Sequence, residues 1–259
     1  MGSQSEKETN RMARISMIGA GNVATHLSQA LQNAGHEIIQ VYNRTPNSAA
    51  LLAQQLGCPF TTELTDISAC DLAIISVKDD AISKVASQLD CPIAHTSGTK
   101  SIAVLGEKAA AVFYPLQTFS KEKKVDFQNI PICIESNNKE LLALLQEIAK
   151  SISNNVHQLS SEQRKYLHLS AVIACNFSNL MYQLANEICT EQNIPFDLLK
   201  PLITETSQKI QVVSAQEAQT GPAQRKDLAT IEKQIALLTT DEEKRKIYEL
   251  LTQSILNRL

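Results

Sequence analysis

The sequence lacks the features that mark several classes of protein. It has no apolar run approaching the roughly 18 residues of a membrane-spanning helix, so no such helix is predicted. Its formal net charge is -3, and without an excess of positive charge no binding to nucleic acid or to an acidic membrane is expected. Neither an internal repeat nor a low-complexity tract occurs. The composition, 43% hydrophobic and 20% charged, is that of an ordinary folded protein.

The cysteines of this sequence do not form the motifs that bind metals or carry out redox chemistry. No C-x-x-C pair occurs, and the six cysteines fall one to each predicted element, at positions 58, 70, 91, 133, 175 and 189. That distribution predicts reduced core thiols in a cytoplasmic protein and no metal site. Residues 1–12 are polar and lack the apolar segment of a signal peptide, so we expect them to form a disordered leader.

One stretch, residues 14–44, has the pattern of a dinucleotide-binding unit. An apolar run over residues 15–18 predicts a buried strand, and the G-x-G-x-x-A fingerprint that follows is Gly19-Ala20-Gly21-Asn22-Val23-Ala24. An amphipathic helix, closed by Gly35, and a second apolar strand over residues 38–41 complete the unit. Gly19 permits the tight turn, Gly21 lets the backbone approach a pyrophosphate, and the first N–H groups of the helix bind the phosphates. The alternative is a strand–helix turn that binds nothing.

The end of the second strand predicts which dinucleotide is bound. Sites that prefer NAD place an acidic residue there, whereas an arginine accommodates the 2′-phosphate of NADP. This sequence has Asn43, Arg44 and Thr45 at that point, and the next acidic residue is Glu63. A guanidinium binds a phosphate through two parallel hydrogen bonds, and Thr45 followed by Pro46 predicts another helix N-terminus facing the same anion. NADP is therefore the predicted cofactor; the alternative for Arg44 is an ordinary solvated arginine.

Strands and helices alternate over residues 13–159, which predicts an α/β fold with a mostly parallel, Rossmann-type sheet. No strand pattern follows, so residues 160–259 are predicted to form an all-helical domain. Ligands of open parallel sheets bind beyond the carboxyl ends of the strands. Further cofactor candidates are therefore Val77, Lys78, Ser97 and Gly98, which follow two later strands. At the same strand ends, Asp79 and Asp80 are expected to cap a helix, with the cofactor cleft as the alternative, and His95 is interpreted as a packed strand histidine.

In the helical domain, a long helix is predicted from the capping box of Ser160 and Gln163 to about residue 192. At about 100° per residue, one stripe of this helix contains His168, Val172, Cys175, Asn179, Tyr182 and Asn186, with Asn176 beside it. Such polar residues form either a hydrogen-bonded seam against neighbouring helices or the wall of a cleft. In the second case His168 faces the nicotinamide and is the candidate for proton transfer, and Asn176 is a second candidate for the wall of the cleft.

The rest of the chain is predicted to contain three more helices. One runs from Pro195 to about residue 216 and leads to a turn over residues 220–227. Arg225 in that turn is a candidate for binding an anionic substrate or a cofactor phosphate; the alternative is an ion pair between helices. Asp227 is expected to cap the next helix, and Thr240 with Glu243 to form a capping box for the last one.

Together these residues resemble a known family. The fingerprint, the Asn43-Arg44 strand end and the helical second half are similar to the superfamily of 6-phosphogluconate dehydrogenase, 3-hydroxyisobutyrate dehydrogenase and pyrroline-5-carboxylate reductase. A closer resemblance is to Rossmann-like proteins whose C-terminal part is a domain of unknown function, number 2520. That resemblance rests on four motifs, which here are Ser97-Gly98, the loop Tyr114–Phe119, Tyr166 and His168 with Asn176-Phe177, and the turn Thr220–Asp227.

The resemblance implies NADP binding and a helical domain that forms a homodimer. Tyr114 and Gln117 in the loop and Arg225 in the turn are the predicted substrate contacts. Two residues depart from the family pattern: Tyr114 stands where the loop usually has histidine, and Lys78 where proline often follows the strand. A proton-transfer role at position 114 is therefore not carried over.

The leading hypothesis is a cytoplasmic NADP-dependent oxidoreductase that transfers a hydride between NADP(H) and a small carbonyl or imine compound. In this hypothesis His168 donates a proton, and Ser97 and Asn176 position the substrate. A simple 3-hydroxyacid dehydrogenase is not expected, because Lys165 lies far ahead of the position that the catalytic lysine takes before Asn176 in that class. Two alternatives stay open: a non-catalytic NADP-binding sensor or scaffold, and a reductase that passes hydride to a second redox cofactor.

Overall fold

The structure is a computed structural model that describes residues 12–120 and 123–259. The predicted leader, residues 1–12, lies outside the described residues apart from Met12. The chain divides into two compact units, the first ending at Val172 and the second beginning at Ile173. The domain boundary after residue 159 stays a prediction; it marks the end of the strands, whereas the first unit also includes the helix that follows them.

The first unit is built on one sheet. Its strands are β1 (Arg14–Ile18), β2 (Glu37–Tyr42), β3 (Phe60–Thr61), β4 (Leu72–Ile75), β5 (Ile93–His95), β6 (Ala110–Pro115), β7 (Ile132–Ser136) and β8 (Val156–Gln158). They lie in the order β3-β2-β1-β4-β5-β6-β7-β8. The strands from β1 to β6 are parallel, β7 is antiparallel to β6, and β8 is parallel to β7. The predicted α/β fold with a mostly parallel sheet is confirmed.

Helices cover both faces of this sheet. They are α1 (Asn22–Asn33), α2 (Pro46–Leu56), α3 (Ile82–Ala86), α4 (Lys139–Ile152) and α5 (Ser161–Ala171). Residues of α1, α2 and α4 pack with Met17 and Ile74 on one face, and residues of α3 pack with Ile18 and Ile75 on the other. Because both faces are covered, β4 is buried and apolar throughout. The sheet therefore lies between two apolar clusters, one on each face.

The second unit is helical. It contains α6 (Ser178–Glu191), α7 (Lys200–Lys209), α8 (Ala215–Ala218), α9 (Leu228–Leu237) and α10 (Glu242–Leu256). The single helix predicted over residues 195–216 is wrong, because Ser214 and Glu217 form a capping box that starts α8 separately. The cap predicted for the last helix is also wrong: Asp241, not Thr240, accepts the hydrogen bond from Lys244 N–H. Across the described residues, no helix has the length and apolar character needed to cross a bilayer.

A π-helical segment, Val172–Phe177, separates α5 from α6. Hydrogen bonds in a π-helix join residues five apart, so each turn holds more residues than an α-helical turn. The predicted stripe assumed about 100° per residue throughout and is therefore wrong beyond Val172. Asn176 lies within this segment, a type of irregularity that is frequent at functional sites.

Candidate functional site

The first turn of the fingerprint requires glycine at position 19. Gly19 follows β1 with a φ of 122°, and its N–H donates to the Tyr42 carbonyl at 2.7 Å. A Cβ atom on Gly19 would lie 2.1 Å from the carbonyl oxygen of Ser76, just beyond β4. A side chain is therefore excluded by both the backbone conformation and the contact. This turn brings the ends of β1, β2 and β4 together.

Gly21, in contrast, faces open space. It is the N-cap residue of α1, with φ -83° and ψ -174°, and a Cβ atom there would meet no atom within 4 Å. Within the described part of the chain, no side chain caps the first turn of α1. Asn22 does not do so, because its side-chain amide donates to the Phe119 carbonyl at 3.0 Å. Unpaired backbone N–H groups beside an open glycine fit the pyrophosphate of a dinucleotide.

A second set of unengaged polar groups follows β2. Arg44 is exposed and forms neither an ion pair nor a hydrogen bond with any described residue. Thr45 is the N-cap residue of α2, with Pro46 after it as predicted, but its hydroxyl makes no capping hydrogen bond. The Asn43 side chain donates to the Thr45 carbonyl at 3.1 Å and so shapes this strand end. A free guanidinium beside a helix N-terminus fits a phosphate monoester such as the 2′-phosphate of NADP.

The loops after β4 and β5 are joined by hydrogen bonds. The Thr99 hydroxyl donates to the Asp79 carboxylate at 2.5 Å. The Ser97 hydroxyl oxygen accepts from the N–H groups of Thr99 and Lys100, at 3.2 and 3.0 Å. Neither Asp79 nor Asp80 caps a helix through its side chain, so that expectation is wrong. Asp79 instead fixes the loop that contains Ser97, whose oxygen is engaged within the same loop.

The ends of β5 and β6 meet α5 at a hydrogen-bonded pair of side chains. The Tyr114 hydroxyl at the end of β6 lies 3.0 Å from Nδ1 of His168, and the two rings meet edge to face. Gly98 is adjacent: a Cβ atom there would lie 2.5 Å from Nδ1 of His168 and 2.9 Å from Cζ of Tyr114. Three predicted site residues, distant in sequence, are therefore in contact. They lie at the carboxyl edge of the parallel strands, the edge where the fingerprint also lies.

Burial keeps the phenol of Tyr114 protonated. Tyr114 is 9% exposed, and burial raises the pKa of its phenol to about 12. At neutral pH its O–H can therefore donate a hydrogen bond to Nδ1 of His168. In that arrangement the ring hydrogen of His168 is on Nε2, an assignment made from the hydrogen-bond pattern. The pair can present an N–H donor from the partly exposed His168 ring.

A buried ion pair fixes α5 against the same loops. Arg164 is 1% exposed and donates to the Glu135 carboxylate at 2.5 Å, to the Lys100 carbonyl at 2.5 Å and to the Ser161 hydroxyl at 3.2 Å. The Ser161 hydroxyl donates to Glu135 at 2.7 Å. Sequence reasoning missed this cluster. The available signal was the spacing, since Arg164 lies one helical turn before His168 on the same face.

His95 lies in β5 beneath this loop and is fully buried. Its Nδ1 accepts a hydrogen bond from the Ser97 N–H at 3.1 Å. Burial, and then the positive charge of Arg164, lower the pKa of His95 to about 4. The ring is therefore neutral near pH 7, in agreement with its interpretation as a packed strand histidine.

The remaining predicted contacts are not part of this group. Gln117 is exposed on the loop after β6, and its side-chain oxygen accepts from the Thr118 N–H at 2.8 Å. Asn176 and Arg225 belong to the second unit, where both are exposed. The roles of Gln117, Asn176 and Arg225 stay predictions.

A half-open groove of about 830 Å³ lies elsewhere in the first unit. It is bordered by α1, α2, residues 124–128 and the end of α4. Of the residues predicted to bind cofactor or substrate, Ala20 alone lines it. This groove therefore lies apart from the hydrogen-bonded Tyr114–His168 pair. We place the candidate site by its hydrogen-bonded pair and its unpaired polar groups, because catalysis depends on positioned polar groups rather than on volume.

Family models match both parts of the chain. The model for NADP oxidoreductases described as coenzyme F420-dependent matches residues 14–102. The model for the domain of unknown function 2520 matches residues 130–255. No curated protein matches the chain in sequence.

Solved structures extend these matches over nearly the whole chain. A putative NADP oxidoreductase from Bacteroides fragilis is 41% identical, with a TM-score of 0.90 over 96% of this chain and 100% of its own. A Thermotoga maritima protein is 23% identical, with a TM-score of 0.78 over 94% of this chain and 99% of its own. An imine reductase from Myxococcus stipitatus, solved with NADP+, is 15% identical, with a TM-score of 0.64 over 94% of this chain and 92% of its own. The last two similarities show the fold alone.

Proposed function

This chain belongs to the family of Rossmann-type NADP oxidoreductases that carry the C-terminal domain of unknown function 2520, and on that premise we propose that it transfers a hydride between NADP(H) and a small carbonyl or imine compound. The observation that carries the proposal is the Tyr114–His168 pair packed on Gly98. It offers a proton donor at the sheet edge where the fingerprint lies. The nicotinamide cofactor supplies the hydride when it is bound.

The unengaged polar groups support NADP as the cofactor. Gly19, Gly21 and the first turn of α1 hold the pyrophosphate in this proposal, and Arg44 with Thr45 holds the 2′-phosphate. The rest of the proposed cofactor site consists of Ala20, Asn22, Val23, Asn43, Val77, Lys78, Ser97 and Gly98, which follow β1, β2, β4 and β5.

In this proposal the residues of the chain supply a proton to the substrate and hold the donor in position. A carbonyl or imine that accepts a hydride gains negative charge on its oxygen or nitrogen, so it needs a donor at that atom. Protonated His168 donates from Nε2 while its Nδ1 stays hydrogen-bonded to the Tyr114 hydroxyl, which acts as donor or acceptor as required. Ser97 positions the substrate in this proposal, and Tyr114 and Gln117 bind its polar groups. The roles predicted for Asn176 and Arg225, which belong to the second unit, stay predictions.

A second candidate function is hydride transfer between NADP(H) and another redox cofactor. It is favoured by the match of residues 14–102 to oxidoreductases described as coenzyme F420-dependent. A panel of carbonyl and imine compounds, tested with NADPH, and a reduced deazaflavin, tested with NADP+, would separate the two functions. Turnover of the deazaflavin alone would support the second. A large thermal stabilisation by NADP with no turnover in either assay would instead support a non-catalytic sensor.

Arg44→Ala is expected to weaken NADP binding by roughly ten- to a hundred-fold, because one charge-assisted contact to the 2′-phosphate is lost. NAD, which lacks that phosphate, should bind the variant and the native chain nearly equally. Calorimetric Kd values for both dinucleotides test this. The control is Arg14→Ala, which removes an exposed arginine at the opposite end of β1, paired with Glu37, and should change neither Kd. Stronger native binding of NAD than of NADP would contradict the Arg44 assignment.

We further propose that a second copy of the chain covers apolar residues of the helical unit. Those most exposed are Leu198, Leu202, Val212, Leu237 and Leu250, which are 62–86% exposed. A soluble monomer rarely leaves so many large apolar side chains in water on one small unit. The proposed homodimer accounts for them and agrees with what the family resemblance implies.

Leu202→Glu is expected to shift this dimer toward monomer, raising the dimer Kd by at least about ten-fold, because a charge is placed in a dehydrated contact. Light scattering with size-exclusion chromatography at several concentrations measures the shift. Leu51→Glu is the matched control, since Leu51 lies in the first unit and is equally exposed, at 62%. A native chain that is monomeric at all concentrations would overturn the proposal.

A further inference from the structure

Two thiols lie together at the edge of the sheet opposite the fingerprint. Cys70 precedes β4 and Cys91 precedes β5, and these strands are parallel neighbours in which Ala73 pairs with Ile93. Both cysteines pack against the same apolar cluster. Both are free thiols and partly exposed, so a small reagent can reach them. Adjacent ends of two fixed strands therefore place two thiols near each other at the protein surface.

The surroundings make these two thiols chemically unequal. A hydrogen bond from Cys91 lowers the pKa of the Cys70 thiol to about 7, against the opposing effect of burial. The same interaction, followed by burial, raises the pKa of Cys91. The buried Ser16 hydroxyl of β1 lies beside Cys70 and makes no hydrogen bond of normal geometry to any described residue. A thiolate at Cys70 would provide the acceptor that this hydroxyl lacks.

We propose that Cys70 and Cys91 form a reversible disulfide by exchange with a low-molecular-weight disulfide such as oxidised glutathione. The Cys70 thiolate attacks one glutathione sulfur, forms a mixed disulfide and releases one glutathione thiolate. Cys91 then loses its proton to solvent and attacks the Cys70 sulfur, which forms the intrachain bond and releases the second glutathione. The two protein thiols lose two electrons in total, and the small disulfide gains them.

The order of the two steps follows from the environment of each thiol. Cys70 reacts first because both neighbouring donors stabilise its thiolate. Cys91 becomes easier to ionise once Cys70 is in the mixed disulfide, because the interaction that raises its pKa is then removed. The pair lies at the amino ends of β4 and β5, away from Gly19 and His168. This proposal therefore does not depend on the hydride-transfer function.

Peptide mass spectrometry of the full chain after incubation with oxidised glutathione at pH 7.5 tests the proposal. We expect a linked Cys70–Cys91 peptide and the loss of two of the six free thiols. Cys58 is the internal control, because it is also partly exposed and precedes a strand, but burial raises the pKa of its thiol. In Cys91→Ala, glutathione should remain attached to Cys70. In Cys70→Ala, Cys91 should stay unmodified.

The rate of alkylation as a function of pH gives a second readout. Cys70 should react with a midpoint near pH 7 in the native chain and at higher pH in Cys91→Ala, because the donor to its thiolate is gone. Alanine is used because serine at position 91 would still donate. Reaction of Cys58 as fast as that of Cys70, or an unchanged midpoint in Cys91→Ala, would overturn the assigned nucleophile. Glutathione on Cys70 without a link to Cys91 in the native chain would overturn the disulfide.

Discussion

His168→Asn is expected to lower kcat by about 10²- to 10⁴-fold for any carbonyl or imine compound that the native chain reduces. Asparagine can still accept a hydrogen bond from Tyr114 near the position of Nδ1, so the local packing is retained. It has no group that donates a proton to the substrate and recovers it from solvent. The Kd for NADP should not change, because His168 is not among the proposed cofactor contacts. Steady-state kinetics and calorimetry on the same preparation measure the two effects.

Two further variants separate catalysis from structure at this site. His157→Asn changes an exposed histidine of β8 that is hydrogen-bonded to Asn155, and should leave kcat unchanged. Tyr114→Phe removes the hydroxyl that orients His168 and should cost less than the loss of His168 itself, on the order of ten-fold in kcat. Native turnover by His168→Asn would exclude His168 as the donor. A larger loss in Tyr114→Phe than in His168→Asn would transfer that role to the phenol.

Arg164→Met is expected to destabilise the chain toward the lower end of about 3–5 kcal/mol. Methionine fills much of the same space, but it leaves the Glu135 carboxylate without its cation and the Lys100 carbonyl without its donor. The lower end applies because the Glu135 side chain is 19% exposed, so solvent partly compensates the unpaired charge. Urea unfolding followed by circular dichroism measures the change in free energy of unfolding.

The matched control for this variant is Arg14→Met. Arg14 pairs with Glu37 at 3.7 Å, and both side chains are more than half exposed, so the loss should be below about 1 kcal/mol. Adding Glu135→Gln to Arg164→Met should recover part of the stability, since the uncompensated charge is then removed. An equal loss in free energy of unfolding for the two arginine variants would show that burial does not strengthen the contribution of the Arg164–Glu135 ion pair to stability.

Local sequence patterns predicted β1, α1 and β2 closely. The strands predicted over residues 15–18 and 38–41 each differ from β1 and β2 by no more than one residue at either end. Gly35, predicted to close the first helix, has a positive φ just after the C-cap residue of α1. Apolar runs, glycine turns and helix caps are local signals, so they can be interpreted without knowledge of the tertiary fold.

The contacts between side chains that are distant in sequence were not predictable in the same way. Tyr114 and His168 are 54 positions apart, and no periodicity relates them. Arg164 is almost fully buried although arginine is mostly found at the surface, and only its partner Glu135 on β7 explains this burial. The π-helical segment Val172–Phe177 also has no signature in the local sequence pattern. These features depend on which elements pack together.

The reversal of strand direction between β6 and β7 determines where His168, the proposed proton donor, lies. Because β8 runs against β6, the chain leaves the sheet at the edge opposite the fingerprint, and α5 then returns alongside β6, with Leu167 packed on Val112 and Tyr114. At 1.5 Å per residue, the helix rises roughly 10 Å between Ser161 and His168. The position of the imidazole is thus set by a count of residues along one rigid helix. Inserting one residue in that interval would turn the ring by about 100° and move it out of register with Gly98.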